Sequence, residues 1–169
     1  MEDLVSRAVA RDVAAFSQLA RRHQSAMRGL LLRLTRGNHA AADDLAQETF
    51  LEAWRAIANF RGESQFSTWL YRIAYSRFLM QARKRKPDEP LGDWDGGVAS
   101  GETNTLDRID LERAMAKLSP PESAALTLCF ALGLSNTEAA DALDMPLGTL
   151  KSHVLRGREK LKTLLGGPS

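Results

Sequence analysis

The sequence predicts an all-α chain of two small helical domains joined by a flexible acidic linker. Three observations carry that prediction. Apolar residues recur at helical spacing along nearly the whole length. One stretch, Pro87 to Thr105, breaks the pattern: Pro87, Pro90, Gly92, Gly96, Gly97, Ser100 and Gly101 sit there with almost no apolar periodicity. The last quarter of the chain reads as a short helix, a tight turn and a longer basic helix, the helix-turn-helix arrangement. The expected divisions are 1–86, a linker at 87–105, and 106–169.

Taken in order, Leu4 to Ala20 places Leu4, Val5, Ala8, Val9, Val13, Phe16 and Leu19 near helical spacing, with Asp12 a candidate break. A second helix, roughly Arg22 to Thr35, carries Met27, Leu30, Leu31 and Leu34 and stops at Gly37-Asn38. In the third, about Ala41 to Ala58, Ala46, Phe50, Ala53, Trp54 and Ile57 share an inward face. Asp44, Gln47, Glu48, Leu51 and Arg55 fall on the other. An outward leucine rimmed by charge is what a partner surface wants, although a scattered surface leucine is also ordinary.

Phe60 to Phe66 is a loop with Gly62 as its pivot, and Ser67 or Thr68 is expected to cap the next helix, which runs to about Arg85. Trp69, Leu70, Ile73 and Leu79 can pack inward there, while Arg72, Tyr75, Ser76, Arg77, Gln81, Arg83, Lys84, Arg85 and Lys86 form a basic, partly aromatic face. No acid occurs between Ser64 and Pro87. Aromatic residues beside a basic strip suit unstacked single-stranded bases as well as duplex phosphates. The linker carries Asp88, Glu89, Asp93, Asp95 and Glu102 and no basic residue, with Trp94 a candidate anchor.

Helix resumes at about Leu106 to Leu118, and Ser119-Pro120-Pro121-Glu122 is a capping box that opens a helix to Leu132. Gly133 ends it, and Ser135-Asn136-Thr137-Glu138 is a second capping box for a short helix, Thr137 to Leu143. Asp144-Met145-Pro146 breaks that helix, and Pro146 suits the first turn of the next. The last helix is expected to bury Leu147, Leu150, Val154, Leu161 and Leu165. Lys151, Arg156, Arg158 and Lys160 can neutralise phosphates, while Ser152 and His153 can reach base edges. DNA binding is favoured over a solvated helical hairpin.

Composition sets the limits. A chain of 169 residues, 44% apolar and 26% charged, holds one medium or two small domains. A net charge of +2 excludes a histone-like coat, so a nucleic-acid surface must come from local asymmetry. Single Cys129 lies in an apolar helix, which excludes disulfides and predicts a buried inert thiol. The longest apolar run, Ala124 to Leu134, is too short to span a bilayer, and the N-terminus lacks a signal pattern, so the chain reads as cytoplasmic. His23, His39 and His153 are scattered and no phosphate-cradling glycine loop follows a strand. No catalytic centre, metal, cofactor or small-molecule substrate is expected.

Asp43-Asp44-Leu45-Ala46-Gln47-Glu48-Thr49-Phe50-Leu51-Glu52-Ala53-Trp54-Arg55 and Phe60-Arg61-Gly62-Glu63-Ser64-Gln65-Phe66-Ser67-Thr68-Trp69-Leu70-Tyr71-Arg72-Ile73-Ala74 resemble the second region of sigma-70-type initiation factors, specifically the small extracytoplasmic-function group. Leu118 to Glu122, Gly133 to Ala140, Pro146 to His153 and Arg156 to Leu161 resemble that family's fourth region. The resemblance covers nearly everything except the linker.

It implies a region 2-like bundle at 1–86 and a region 4-like helix-turn-helix domain at 106–169. It implies an alternative sigma factor of the stress-response kind that docks on bacterial core RNA polymerase, the β and β′ subunits, through Asp44, Gln47, Glu48 and Leu51. The −10 element would be met by Phe60, Arg61, Ser64, Gln65, Phe66, Arg72, Tyr75, Ser76 and Arg77, with one base extruded into a fitted pocket. The −35 element would be read by Thr149, Lys151, Ser152, His153, Arg156, Arg158 and Lys160. A membrane-anchored anti-sigma factor is the implied regulator, and catalysis belongs to the polymerase. Two positions depart from the pattern: Ser76 stands where the family often has Asn, and Asp144 where a turn glycine is common, although Asp tolerates a left-handed backbone. The alternative is a two-domain helix-turn-helix regulator that binds duplex DNA without replacing the sigma factor and has no use for the Asp44–Leu51 face.

Overall fold

A computed structural model describes residues 2–84 and 105–166, and every described element is helical. Of the linker expected at 87–105, residues 87–104 with Trp94 lie outside the described residues, as do Arg85 and Lys86, while Thr105 is already helical. α1 spans Glu2–Val9. The chain turns at Arg11, left-handed at φ 74°, and Asp12 caps α2 (Val13–Leu34) by accepting from the Ala15 N–H at 3.2 Å.

Contrary to the sequence-based expectation, no second break separates Ala20 from Arg22, and α2 runs unbroken for 22 residues. Arg21 and Arg22 are its outer face, while Ala15, Phe16, Leu19, Met27, Leu30, Leu31 and Leu34 form one buried stripe.

Asn38 caps α3 (His39–Ala56) through the Ala41 N–H at 3.0 Å, and a 3₁₀ turn, Ile57–Asn59, ends it. Ala42, Leu45 and Thr49 are its deepest residues along with Ala53, and Phe50 and Trp54 are only partly buried. Gly62 does pivot the following loop, at φ 76°. α4 begins at Phe66, so Ser67 and Thr68 lie inside its first turn, and it continues to Lys84.

In the second half α5 (Thr105–Met115) leads to α6 (Pro120–Leu126), which passes into a π-helical turn at Thr127–Ala131. α7 (Asn136–Ala142) and α8 (Leu147–Leu164) form the helix-turn-helix. Both predicted capping boxes are present with both of their hydrogen bonds. Asp144 takes the left-handed turn position at φ 53°. Pro146 is the cap of α8 and lies just outside its first turn, while Leu147 and Leu165, expected to be buried, are exposed. Leu150 is fully buried, and Val154 and Leu161 are partly so.

The halves are docked on each other. α4 packs on α7 and α2 on α6. One apolar cluster joins Leu30, Leu31, Tyr71, Ala74, Tyr75 and Phe78 of the first half to Ala124, Leu128, Ala139, Ala140 and Leu143 of the second. A separate cluster under the loop contains Phe16, Leu19, Ile57, Phe66 and Leu70.

Candidate nucleic-acid interface

Three surfaces carry the residues singled out in the sequence. On α3, Asp44, Gln47, Glu48 and Leu51 are all exposed on one face, Leu51 by 52%. Beside them Arg28 donates to Asp43 at 2.6 Å and reaches the His39 ring at 2.9 Å, holding the Asp43 carboxyl below its usual range. Burying a leucine from this position would release apolar area that the fold itself does not use.

The second surface is the loop after the 3₁₀ turn and the outer side of α4. Phe60, Phe66 and Trp69 form an aromatic wedge, with ring centroids 5.2 Å apart for Phe60–Trp69 and 5.6 Å for Phe66–Trp69. It anchors the loop so that Arg61 and Gln65 project outward and Ser64 is half-buried. The loop and the first turn of α4 line a cleft of about 1370 Å³, whose far wall is Thr137, Glu138 and Asp141 of α7.

The His23 ring packs tilted against Phe66, with centroids 5.3 Å apart; burial, followed by the neighbouring Arg22, pushes it below the usual histidine range. Its Nε2 and the Thr68 hydroxyl are buried and have no hydrogen-bond partner among the described residues.

Two aromatic residues expected to meet the −10 element are buried. Phe66 is 6% exposed and belongs to the core under the loop, and Tyr75, at 5%, faces the cluster shared with the second half. The helical period of α4 shows which residues share a face, but not that a second half covers part of it. Arg72 and Ser76 are exposed as expected. Arg72 is held by Asp141 and Asp144, each at 3.1 Å, and Arg77 by Glu52 at 2.8 Å.

The third surface is α8. Thr149, Lys151, Ser152, Arg156, Arg158 and Lys160 are exposed and His153 is half-buried. The Ser152 hydroxyl donates to the Gly148 carbonyl at 3.1 Å, and Arg156 contacts the His153 ring at 3.2 Å. Burial and then Arg156 push His153 below its usual range, against an opposing pull from Glu122.

Glu122 of α6, only 5% exposed at its side chain, binds Lys160 at 2.8 Å and lies 3.9 Å from Arg156. Thus Lys160, expected to face DNA, is tied to the scaffold here. Gly157 permits the close crossing: a Cβ there would stand 2.8 Å from Leu126 Cδ1. A glycine inside a helix costs about 1 kcal/mol relative to alanine, so its presence in Arg156-Gly157-Arg158 was a readable sign of close packing. Arg158 lies over the exposed Phe130 ring, 5.6 Å from its centroid. Cys129 is half-buried, less than expected; its sulfur is 3.5 Å from Asn136 Oδ1, and burial pushes the thiol up.

Among the described residues no group of histidine, cysteine and acidic side chains could hold a metal ion, and no helix is long and apolar enough to cross a membrane.

The fold and these surfaces define a class: an all-helical DNA-binding protein with a helix-turn-helix half and a second half carrying an unused acidic-apolar face. Family models agree, Sigma-70 region 2 over residues 19–87 and Sigma-70, region 4 over 108–161. The chain is 34% identical to the RNA polymerase sigma-H factor of Pseudomonas aeruginosa, over 97% of this chain and 93% of that one. It is also 34% identical to the ECF RNA polymerase sigma-E factor of Haemophilus influenzae, over 94% and 92%. Among solved structures it resembles the sigma factor RpoE in complex with the anti-sigma factor NepR from Bartonella quintana, with TM-score 0.80 and 29% identity over 93% and 100%. It also resembles CnrH in complex with the cytosolic domain of CnrY, with TM-score 0.74 and 26% identity over 98% and 97%. The chain belongs to the sigma-70 family, in its extracytoplasmic-function group, and is an alternative sigma factor. That family consists of transcription initiation factors that are not enzymes.

Proposed function

We propose that this sigma factor binds core RNA polymerase, the β and β′ subunits, through Asp44, Gln47, Glu48 and Leu51, and delivers it to promoters read by two separate surfaces. The loop residues Arg61, Ser64 and Gln65, with Arg72, Ser76 and Arg77 of α4, engage the −10 element; Phe60, Phe66 and Tyr75 shape that surface from beneath. Base extrusion costs a few kcal/mol, which stacking and edge hydrogen bonds in the cleft would offset. Thr149, Lys151, Ser152, His153, Arg156 and Arg158 of α8 meet the −35 element in the major groove, and Lys160 braces the helix through Glu122. The functional division is the one expected from sequence, a −10 and polymerase domain at 1–86 and a −35 domain at 106–169. The protein acts in the cytoplasm, where an anti-sigma factor holds it, anchored in the membrane. The solved relatives support such a partner, since both are complexes, one with an anti-sigma factor and one with a cytosolic domain.

The observation that carries this reading is the exposed Leu51 within its charged rim, on the same chain as a basic helix-turn-helix. A regulator that acts alone needs only the latter. Co-purification with bacterial core polymerase tests the reading. Stoichiometric retention is expected, and a chain that binds duplex DNA but never core polymerase would return the regulator.

A further inference from the structure

We infer that the helix-turn-helix half shuts the −10 surface of its own chain, with Asp141 and Asp144 standing in for DNA phosphates on Arg72. The inference rests on the reading of Arg72 as a −10 contact. The Arg72 guanidinium gives Nη1 to Asp141 Oδ1 and Nη2 to Asp144 Oδ1, each at 3.1 Å. Those donors are the fork that a phosphate would take. Asp141 lies at the end of α7, and Asp144 is placed by the left-handed turn that joins α7 to α8. The acids are therefore presented by the reading motif itself.

α7 also forms the far wall of the cleft. Thr137, Glu138 and Asp141 face Arg61, Gln65 and Arg72 across it, so an incoming strand would meet two carboxylates at its mouth.

The seam beneath is built to hold. Tyr75 and Phe78 pack in one cluster with Ala139, Ala140 and Leu143, and α4 rests on α7. At its other end Arg33 of α2 clasps Glu112 of α5 and donates to Thr127 in the π-helical turn at 3.2 Å. Such turns recur at functional positions. The closed molecule thus leaves Lys151 and Arg158 of α8 exposed while Arg72 is occupied.

The two ion pairs at Arg72 are the weak part of the seam. Arg72 and Asp141 are each 47% exposed and Asp144 is 81% exposed, so salt screens them. Apparent affinity for a −10 strand falls in proportion to the fraction of molecules that are open.

A double-mutant cycle tests this on the full chain, with a fluorescent single-stranded DNA 12-mer of randomised sequence as probe. Asn tolerates the left-handed position as Asp does, so Asp141→Asn with Asp144→Asn should keep the turn. It should tighten binding roughly fivefold at low salt. Arg72→Ala should change little in the wild-type background and should abolish that gain in the Asn background. A gain that persists without Arg72 would be general electrostatics and would overturn the inference. Equal weakening by Arg72→Ala in both backgrounds would overturn it while leaving Arg72 as a −10 contact. No effect of Arg72→Ala in either background would remove Arg72 from the −10 surface, and the inference with it.

Discussion

Arg33 and Glu112 form a bidentate ion pair across the two halves of the chain, Nη2 to Oε1 at 2.8 Å, with side-chain exposures of 13% and 7%. Removing one member of such a pair strands a buried charge, which outweighs the modest net worth of the intact pair. Glu112→Ala should therefore lower stability by about 3 kcal/mol. Arg33→Met combined with Glu112→Leu should recover most of it. Denaturant unfolding of the parent, Glu112→Ala and the double variant checks both statements, and a double variant no more stable than Glu112→Ala would show that no stranded charge had been relieved.

Leu51 contributes apolar area to solvent and nothing to the core. Leu51→Asp should leave the far-UV circular dichroism unchanged and weaken binding to core polymerase by about 2 kcal/mol, roughly thirtyfold. Unchanged affinity would take the α3 face out of the interface.

On α8 the basic residues are not equivalent. Lys160 binds Glu122 and Arg156 lies near it, leaving Lys151 and Arg158 as the cleaner phosphate ligands. Lys151→Ala with Arg158→Ala should weaken binding to duplex −35 DNA and flatten its logarithmic salt dependence by roughly 0.9 for each phosphate that is no longer neutralised. An unaltered slope, measured by titration at several salt concentrations, would mean that this helix does not lie on the backbone.

Glu122 gives a pH signature. Burial pushes its carboxyl up, but the Lys160 ammonium and the Ser119 backbone and side chain outweigh burial and hold it below the ordinary glutamate range. A depressed folded value means stabilisation that is present above the ordinary carboxylate range and lost as pH falls through the folded value. Glu122→Gln should lower stability near neutrality and make the acid limb shallower. An acid limb identical to that of the parent would place the titration elsewhere.

Much of the fold is legible in the sequence because it is local. The capping boxes at Ser119/Glu122 and Ser135/Glu138, the pivot at Gly62 and the outward set on α3 all follow from residues within a few positions of one another. What the sequence hides is of another kind. Tyr75 reads as solvent-facing because a helical period identifies a stripe without saying what lies against it. Lys160 reads as a phosphate ligand until Glu122, 38 residues away, is placed beside it. Arg33 and Glu112 are separated by 79 residues, and nothing in either neighbourhood announces the other. The docked arrangement of the halves is a sum of such distant pairs, and no local pattern contains it.

This chain programmes RNA polymerase at promoters with two recognition elements. The most direct measurement is transcription by bacterial core polymerase and the purified full-length protein on a library of promoter fragments, with sequencing of the transcript ends. Discrete start sites preceded by shared −35 and −10 elements, abolished by Leu51→Asp, are the predicted result. Silence with core polymerase, alongside sequence-selective duplex binding by the chain alone, would contradict it.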